Sequence, residues 1–115
     1  MATTKEFHDF AVETLNYAVG DVHTRPMMGE YLVYFRGVLI GDLCDNCFFL
    51  KETPASQRLL PEAERAYPYE GSKTLMVVLD EWEDFALLSE LLEGTFEALF
   101  ALPKKPRRRA KKAPL

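Results

Sequence analysis

Two turn dipeptides, Arg36-Gly37 and Asp45-Asn46, divide the middle of the chain into three short runs of aromatic and β-branched residues. These runs are Tyr31–Phe35, Val38–Cys44 and Phe48–Lys51. Asp and Asn tolerate the positive φ of tight hairpin turns, and glycine adopts it without steric cost. Short apolar runs joined by two-residue turns are typical of an antiparallel meander. The sequence therefore predicts three consecutive antiparallel strands.

Upstream of the meander, the sequence predicts one helix and one further strand. Thr3 followed by Glu6 fits a capping box, in which both side chains satisfy free N–H groups at a helix start. Apolar residues then recur at steps of three and four up to Gly20, which favours a helix of about four turns. The stretch Asp21–Met27 has strand character, and Pro26 restricts such a strand to a sheet edge or to its own end.

Downstream of the meander, the chain alternates between helical and strand patterns. Thr53-Pro54 combines an N-cap residue with proline at the first helical position, which predicts a short helix through Leu60. The proline-bounded residues 62–71 are expected to be irregular. Thr74–Leu79 is a nearly unbroken apolar run, as in a strand from the interior of a sheet.

A long final helix is predicted from the acidic stretch Asp80–Asp84 to about Leu102, where Pro103 ends it. Apolar residues at steps of three and four, beginning with Trp82, form its core stripe. Further apolar residues widen this stripe beyond what one sheet face needs: Leu87, Leu91, Ala98 and Leu102. The extra width favours a protein partner or self-association.

This order of elements predicts the α+β class. The expected architecture has two layers, with an antiparallel sheet of about four to five strands and the helices on one face. The predicted order is α-β-β-β-α-β-α, with an extra edge strand if Asp21–Met27 pairs.

Charge divides the 115 residues into two parts. Residues 1–103 hold seven basic and 18 acidic residues, a net charge of −11, whereas residues 104–115 carry +7. The basic residues of this second part are Lys104, Lys105, Arg107, Arg108, Arg109, Lys111 and Lys112. Clustered like charges and prolines do not form a packed element. We therefore expect a folded domain of residues 1–103 followed by a disordered basic tail, residues 104–115.

Such a basic tail neutralises phosphates and releases their counterions, which predicts salt-sensitive nucleic-acid binding. The binding is expected to be non-specific, because the basic tail has no aromatic residue on which a base can stack. The alternative is a tail that only keeps the chain in solution and screens its acidic part.

Other function classes find no support in the sequence. It has no apolar run of the roughly 20 residues that cross a bilayer, and no N-terminal secretory pattern. Two cysteines cannot hold together a secreted scaffold, so a cytoplasmic location is expected. No phosphate-binding loop, dinucleotide fingerprint or nucleophile elbow is present. We predict no enzyme activity, no catalytic residues, no cofactor, no small-molecule substrate and no membrane partner.

Cys44 and Cys47 form a C-x-x-C pattern across the second predicted turn. Redox-active pairs of this kind normally lie at a helix start, where the helix dipole lowers a thiol pKa. A zinc site needs two further ligands, and the two histidines, His8 and His23, match no zinc-finger spacing. Ordinary thiols are therefore favoured. A metal- or redox-responsive protein that uses Cys44 and Cys47 is the alternative function.

The order of residues from Arg25-Pro-Met-Met-Gly-Glu-Tyr31 onwards resembles the N-terminal domain of the TfoX/Sxy family. That family reads R-x-M-F-G-x-Y-G-[IL]-Y, then F-G-L-[IV], D and L-x-[LV]-K, and the likeness covers roughly Phe7 to Leu102. The matching residues are Arg25, Met27, Gly29, Glu30, Tyr31, Tyr34, Gly37, Gly41, Asp45 and Lys51. The resemblance leaves open whether these residues form a surface or a packed core.

The resemblance implies a two-layer α+β domain and supplies no catalytic residues. Full-length members of that family regulate natural competence and act at promoters with the cyclic-AMP receptor protein. They also carry a second, C-terminal domain. The chain is therefore expected to be a single-domain member with a role in transcription regulation or competence, in which the basic tail stands in place of that second domain.

Overall fold

The structure, a computed structural model, describes residues 2–101. Three helices and six strands follow one another in this part of the chain: α1 (Lys5–Ala18), β1 (Val22–Met27), β2 (Glu30–Phe35), β3 (Val38–Cys44), β4 (Cys47–Leu50), α2 (Pro54–Leu59), β5 (Arg65–Ala66), β6 (Met76–Leu79) and α3 (Phe85–Ala101). The strands form one antiparallel sheet in the order β1-β2-β3-β4-β6-β5. The predicted α+β class is confirmed. The basic tail and the predicted helix end at Leu102 lie outside the described residues.

The sheet has six strands rather than the four or five predicted. Strand β1 pairs with β2 over its full length and forms one edge of the sheet, the place to which Pro26 restricts it. Strand β5 lies within the stretch that was predicted to be irregular, and its two residues, Arg65 and Ala66, pair with β6. Strand β6 is thereby paired on both sides, as its apolar run predicts. The observed order is α-β-β-β-β-α-β-β-α.

Both long helices begin later than predicted. The N-cap of α1 is Thr4, whose hydroxyl accepts a hydrogen bond from the Phe7 N–H at 3.1 Å, and not Thr3. Helix α3 begins at Phe85, because the carboxylate of Asp84 accepts from the Leu87 N–H at 3.0 Å and takes the capping position. The acidic stretch therefore precedes the helix instead of forming its first turn.

Trp82 lies in the loop before α3 and not on its apolar stripe. Its ring packs edge-on against Phe7 of α1, with ring centroids 5.8 Å apart. It also contacts Phe10 and Phe48, at centroid distances of 5.3 and 6.0 Å. Trp82 therefore joins α1 to the sheet at the end where β6 leads into α3.

The main core lies between the sheet and the helices α1 and α3. Its fully buried members include Leu15, Phe35, Phe48 and Leu92. The opposite face of the sheet carries a smaller buried cluster of Cys44, Phe49 and Met76. Helices on one face of one sheet give the two layers that were predicted.

The wide apolar stripe of α3 is used largely within the chain. Leu91, assigned above to the surplus width, is fully buried. The backbone of α3 approaches α2 so closely at Gly94 that a Cβ there would lie 2.5 Å from the Cβ of Ala55. The stripe thus packs against α2 as well as the sheet, and its width is weaker support for a partner than the sequence suggested. Leu87 and Ala98 remain half-buried.

Candidate functional site

Three residues of the family-like motif lie in hairpin turns. Both central residues have positive φ in Met28-Gly29 (53° and 89°), Arg36-Gly37 (52° and 81°) and Asp45-Asn46 (53° and 58°). This is the backbone of type I′ turns, whose twist matches that of the flanking strands. The two turns predicted from sequence are confirmed, and Met28-Gly29 is a third. Gly29, Gly37 and Asp45 therefore determine the hairpins.

Gly41 has a different structural task, because it lies inside β3. A Cβ at this position would come within 2.2 Å of the Phe49 carbonyl oxygen and 3.0 Å of the Phe48 ring. Real Cβ atoms do not make such contacts, so only glycine lets β3 and β4 approach as they do.

Glu30 connects the N-terminus to two of the hairpin turns. Its Oε1 atom accepts hydrogen bonds from the Thr3 N–H at 3.0 Å and from the Thr3 hydroxyl at 2.7 Å. The same atom accepts from the Asp45 N–H at 3.2 Å. Asn46 completes the contact, since its side-chain oxygen accepts from the Thr4 N–H at 2.8 Å. Glu30 thus serves to anchor the segment that leads into α1.

Tyr31 packs on His8, and the two ring centroids are 4.1 Å apart. The Nε2 atom of His8 lies 2.9 Å from the Thr24 hydroxyl, and Nδ1 lies 2.9 Å from the Asp9 carboxylate. Hydroxyl, imidazole and carboxylate are connected as in a nucleophilic triad. The Asp9 side chain is 54% exposed, however, and the cavity described below does not include these groups. The arrangement attaches α1 to β1.

The remaining motif residues do not converge on one site. Arg25 is exposed on β1, and Met27 and Tyr34 are half-buried. Lys51 follows β4, and its N–H donates to the Ile40 carbonyl at 2.9 Å. The motif therefore includes turn-forming, anchoring and packing residues. Gly41 is buried, Arg25, Gly29, Gly37 and Asp45 are exposed, and the other motif residues are half-buried.

Cys44 and Cys47 face each other at the base of the third hairpin. Both are free thiols, Cys44 buried and Cys47 half-buried. Burial, with nearby carboxylates adding to it, raises the pKa of Cys44 to about 12 and also raises the pKa of Cys47. Neither thiol lies at a helix start, and residues 2–101 contain no group of three or more metal-ligating side chains. The surroundings therefore keep both thiols protonated near neutral pH.

A cavity of about 800 Å³ opens beside Cys47, between the end of β6, the loop before β5 and the start of α1. Its apolar wall includes Phe7, Leu59, Leu79 and Trp82. Its acidic residues are Glu62, Glu64, Asp80 and Glu81. An apolar wall with several charged groups of one sign is suited to an occupant that carries the opposite charge on an apolar stem. We call this feature the acidic cavity.

Arg65 of β5 fixes one wall of the acidic cavity. Its Nη1 atom donates to the carbonyl oxygens of Leu60 and Ala63, both at 2.7 Å. Its Nε and Nη2 atoms donate to the two carboxylate oxygens of Glu52, at 2.8 and 2.9 Å. This bidentate pair lowers the pKa of Glu52. The loop that carries Glu62 is therefore held at both ends.

The four carboxylates of the acidic cavity have no cationic partner among residues 2–101. Every Lys or Arg ion pair in that range lies elsewhere: Lys5–Asp9, Arg36–Glu93, Arg58–Glu90 and Arg65–Glu52. Glu81 alone is partly satisfied, because it accepts from the N–H groups of Glu83 and Asp84, both at 2.9 Å. The cavity therefore has uncompensated negative charge.

The sequence does not predict the acidic cavity. The acidic stretch 80–84 has the pattern of a helix start, and Glu62, Glu64 and Arg65 belong to no recognisable motif. The carboxylates clustered around two prolines were the only sequence pattern that could have indicated the cavity, but the pairing of β5 with β6 has no local sequence pattern.

No helix within residues 2–101 is both long and apolar enough to cross a membrane.

Comparison with known proteins finds a relative that aligns with nearly the whole chain. No protein-family model and no solved structure matches the sequence. The chain is 34% identical, over 114 residues, to an uncharacterized 12.7 kDa protein in the trpE 5′ region of Spirochaeta aurantia. The aligned range covers 99% of this chain and 96% of that protein, so it includes the basic residues 104–112 as well as the residues that the structure describes.

Proposed function

We propose that the chain, which belongs to the same family as the Spirochaeta aurantia protein, is a non-enzymatic regulatory module that binds nucleic acid through its basic tail. The observation that carries this proposal is the division of charge. Seven basic residues lie between Lys104 and Lys112, whereas residues 1–103 carry a net charge of −11. The negative part repels phosphates, and the basic tail attracts them.

The mechanism is electrostatic. Each Lys or Arg that neutralises a phosphate releases a condensed counterion, so the affinity falls steeply as salt rises. Seven contacts give a slope of log K against log salt of up to about −6. The basic tail lacks aromatic residues, so base stacking and sequence preference do not enter.

The regulatory part of the proposal rests on the resemblance to the TfoX N-terminal domain and on the kind of site found. The groups that line the acidic cavity include no histidine and no hydroxyl nucleophile. Both cysteines are free thiols, which supports a reducing, cytoplasmic location. We therefore propose a module of transcription or competence regulation that works by binding.

A protein partner, or a second copy of the chain, is a further part of the proposal. Two aromatic pairs that include exposed rings support it: Tyr17 on Phe85, and Phe100 stacked on the half-buried Phe96. Tyr17 is 76% exposed and Phe100 is 70% exposed. Large exposed apolar side chains of this kind often mark interaction surfaces.

The test is titration of the full chain into two labelled DNA duplexes of equal length and different sequence, followed by fluorescence anisotropy. At low salt, about 0.05 M, we expect equal binding of both duplexes, and at about 0.2 M a large loss of affinity. A variant with Gln at all seven basic positions of the tail is expected to lose the binding.

The matched control replaces basic residues of the folded part. Arg25 and Lys73 are exposed and make no ion pair within residues 2–101. The R25Q/K73Q variant is expected to bind nearly as well as the natural chain, and R107Q/R108Q to bind more weakly for the same loss of charge. Absence of binding at low salt, or full binding by the seven-Gln variant, would overturn the proposal.

A further inference from the structure

We propose that the acidic cavity binds the chain's own basic tail, in the same molecule, through Arg109, Lys111 and Lys112. The inference concerns the same tail as the proposed function, but it holds whether or not that tail binds nucleic acid. Three steps support it: the charge of the cavity, the chemistry of its walls and the length of chain that connects the two.

Charge is the first step. Glu62, Glu64 and Asp80 make no side-chain hydrogen bond or ion pair within residues 2–101. Their carboxylates nevertheless lie around a single cavity. Burial raises the pKa of Cys47, which lines the cavity, and the charges of Asp45, Asp80 and Glu64 raise it further. Seven of the 14 basic residues of the chain lie close together in the basic tail.

The walls are the second step. Lys and Arg place a flexible apolar stem behind their charge, and such stems pack well on aromatic and aliphatic surfaces. The rings of Phe7 and Trp82 and the side chain of Leu59 supply that surface beside the carboxylates. A guanidinium also interacts favourably with the face of a tryptophan ring. An Arg/Lys peptide therefore matches both parts of the cavity.

Reach is the third step. The acidic cavity lies next to the N-terminal end of α3, and Ala101, the last residue that the structure describes, lies at the other end of this helix. A helix of 17 residues is about 25 Å long at 1.5 Å per residue. Extended chain covers up to about 3.3 Å per residue, so roughly eight residues span that length. Arg109 is the eighth residue after Ala101, so it and the following basic residues reach the cavity.

The consequence is a tail that is held by the folded domain when no competing polyanion is present. The pairing is between exposed or half-exposed charges, so salt weakens it. Binding of the tail to the cavity therefore reduces its availability to phosphates, and release of the tail exposes the cavity.

Trp82 makes the inference measurable in the full chain, because it is the only tryptophan and it lines the cavity. The experiment measures quenching of its fluorescence by acrylamide, a neutral quencher. At low salt, about 0.05 M, we expect quenching about twofold weaker in the natural chain than in R109Q/K111Q/K112Q. At about 1 M salt the two are expected to coincide.

Matched acidic variants locate the effect. E62Q/E64Q/D80N is expected to show the stronger quenching of the tail variant, whereas E6Q/E13Q/E70Q, which changes the same charge at exposed positions outside the cavity lining, is expected to behave as the natural chain does. Circular dichroism of each variant controls for folding.

The concentration dependence distinguishes the other occupants. Protection of Trp82 that stays constant when the protein is diluted supports docking within one molecule. Protection that is lost on dilution overturns it in favour of a second copy. Equal quenching in the natural chain and in R109Q/K111Q/K112Q at low salt overturns the binding of the tail altogether. No nucleic acid is present, so failure of DNA binding leaves this result unaffected.

Discussion

Glu30 accepts a hydrogen bond from the Thr3 hydroxyl at 2.7 Å, and this contact joins residues that are 27 positions apart. The Thr3 side chain is buried, and the same carboxylate oxygen accepts from the Thr3 and Asp45 N–H groups. One charged acceptor therefore fixes the entry to α1 against two hairpin turns. Contacts of this kind stabilise a fold through geometry that no local sequence pattern records.

Loss of the Glu30 carboxylate is expected to destabilise the fold. Glu30→Ala removes a charged acceptor from three donors, and we expect a fall of about 2 kcal/mol in the free energy of unfolding. Urea denaturation measures this, with Glu13→Ala as a control, because Glu13 is an exposed residue of α1 with no side-chain hydrogen bond in the described structure. Equal stability of the two variants would contradict the anchoring role.

Replacement by alanine is expected to destabilise the protein at both Gly41 and Gly37, but for different reasons and by different amounts. Gly41→Ala forces a Cβ against the Phe49 carbonyl, so we expect a loss of about 3 kcal/mol. Gly37→Ala meets no atom within 4 Å and is penalised only by its φ of 81°, by about 1 kcal/mol. Gly37→Asn is expected to cost less than Gly37→Ala, since Asn tolerates positive φ. If the Gly41→Ala variant were as stable as the Gly37→Ala variant, the close approach of β3 and β4 at Gly41 would be contradicted.

The meander was predictable because its information is local. Arg36-Gly37 and Asp45-Asn46 define turns by residue type alone, and the apolar runs between them define strands. By contrast, β5 is two residues long and exists only because it pairs with β6. No periodicity fits into two residues, so the sequence predicted an irregular stretch there.

The helix starts and the acidic cavity were not predicted correctly from the sequence for a related reason. Thr3 satisfies the sequence pattern of a capping box, but its hydroxyl is taken by Glu30. Trp82 fits the spacing of the α3 stripe, but Asp84 caps the helix after it. The acidic cavity combines residues from the start of α1, the loop before β5 and the end of β6. Only the fold brings those segments together.

The thiol of Cys44 is expected to resist modification and to make stability depend on pH. Burial raises its pKa from 9.0 to about 12, so the folded state keeps a proton that the unfolded state releases. The contribution of the Cys44 thiol to the free energy of unfolding is fully present below about pH 9 and is lost as pH rises towards 12. We expect the free energy of unfolding to fall less steeply in this range for Cys44→Ala than for the natural chain.

Alkylation measures the same property directly. Iodoacetamide at about pH 8 is expected to label Cys47, which is half-buried, before Cys44 in the native protein, and mass spectrometry distinguishes the two. Labelling in denaturant, where both thiols are accessible, is the control. Rapid labelling of Cys44 in the native protein would contradict the prediction that this thiol is unreactive, and it would favour the redox-responsive alternative.

Asp42 is expected to reduce stability at neutral pH. Its side chain lies on the face of the sheet opposite the helices, in register with Leu32 and Phe49, and is 9% exposed. Burial raises its pKa, and the opposing attraction of Lys51 is smaller. Asp42 therefore binds a proton more tightly in the folded state than in the unfolded chain. Its contribution to the free energy of unfolding is present below about pH 4 and is lost as pH rises through the pKa of the folded state.

Asp42→Asn removes that charge and keeps the shape of the side chain. We expect its free energy of unfolding at pH 7 to exceed that of the natural chain by about 1 kcal/mol, and the difference to disappear in acid, where Asp42 is itself neutral. Thermal unfolding at pH 7 and at about pH 3 measures both values. Asp45→Asn is the control, since it makes the same charge change at an exposed turn residue. Destabilisation by Asp42→Asn at pH 7 would instead mean that the buried carboxylate is stabilised by a favourable interaction that the amide cannot make.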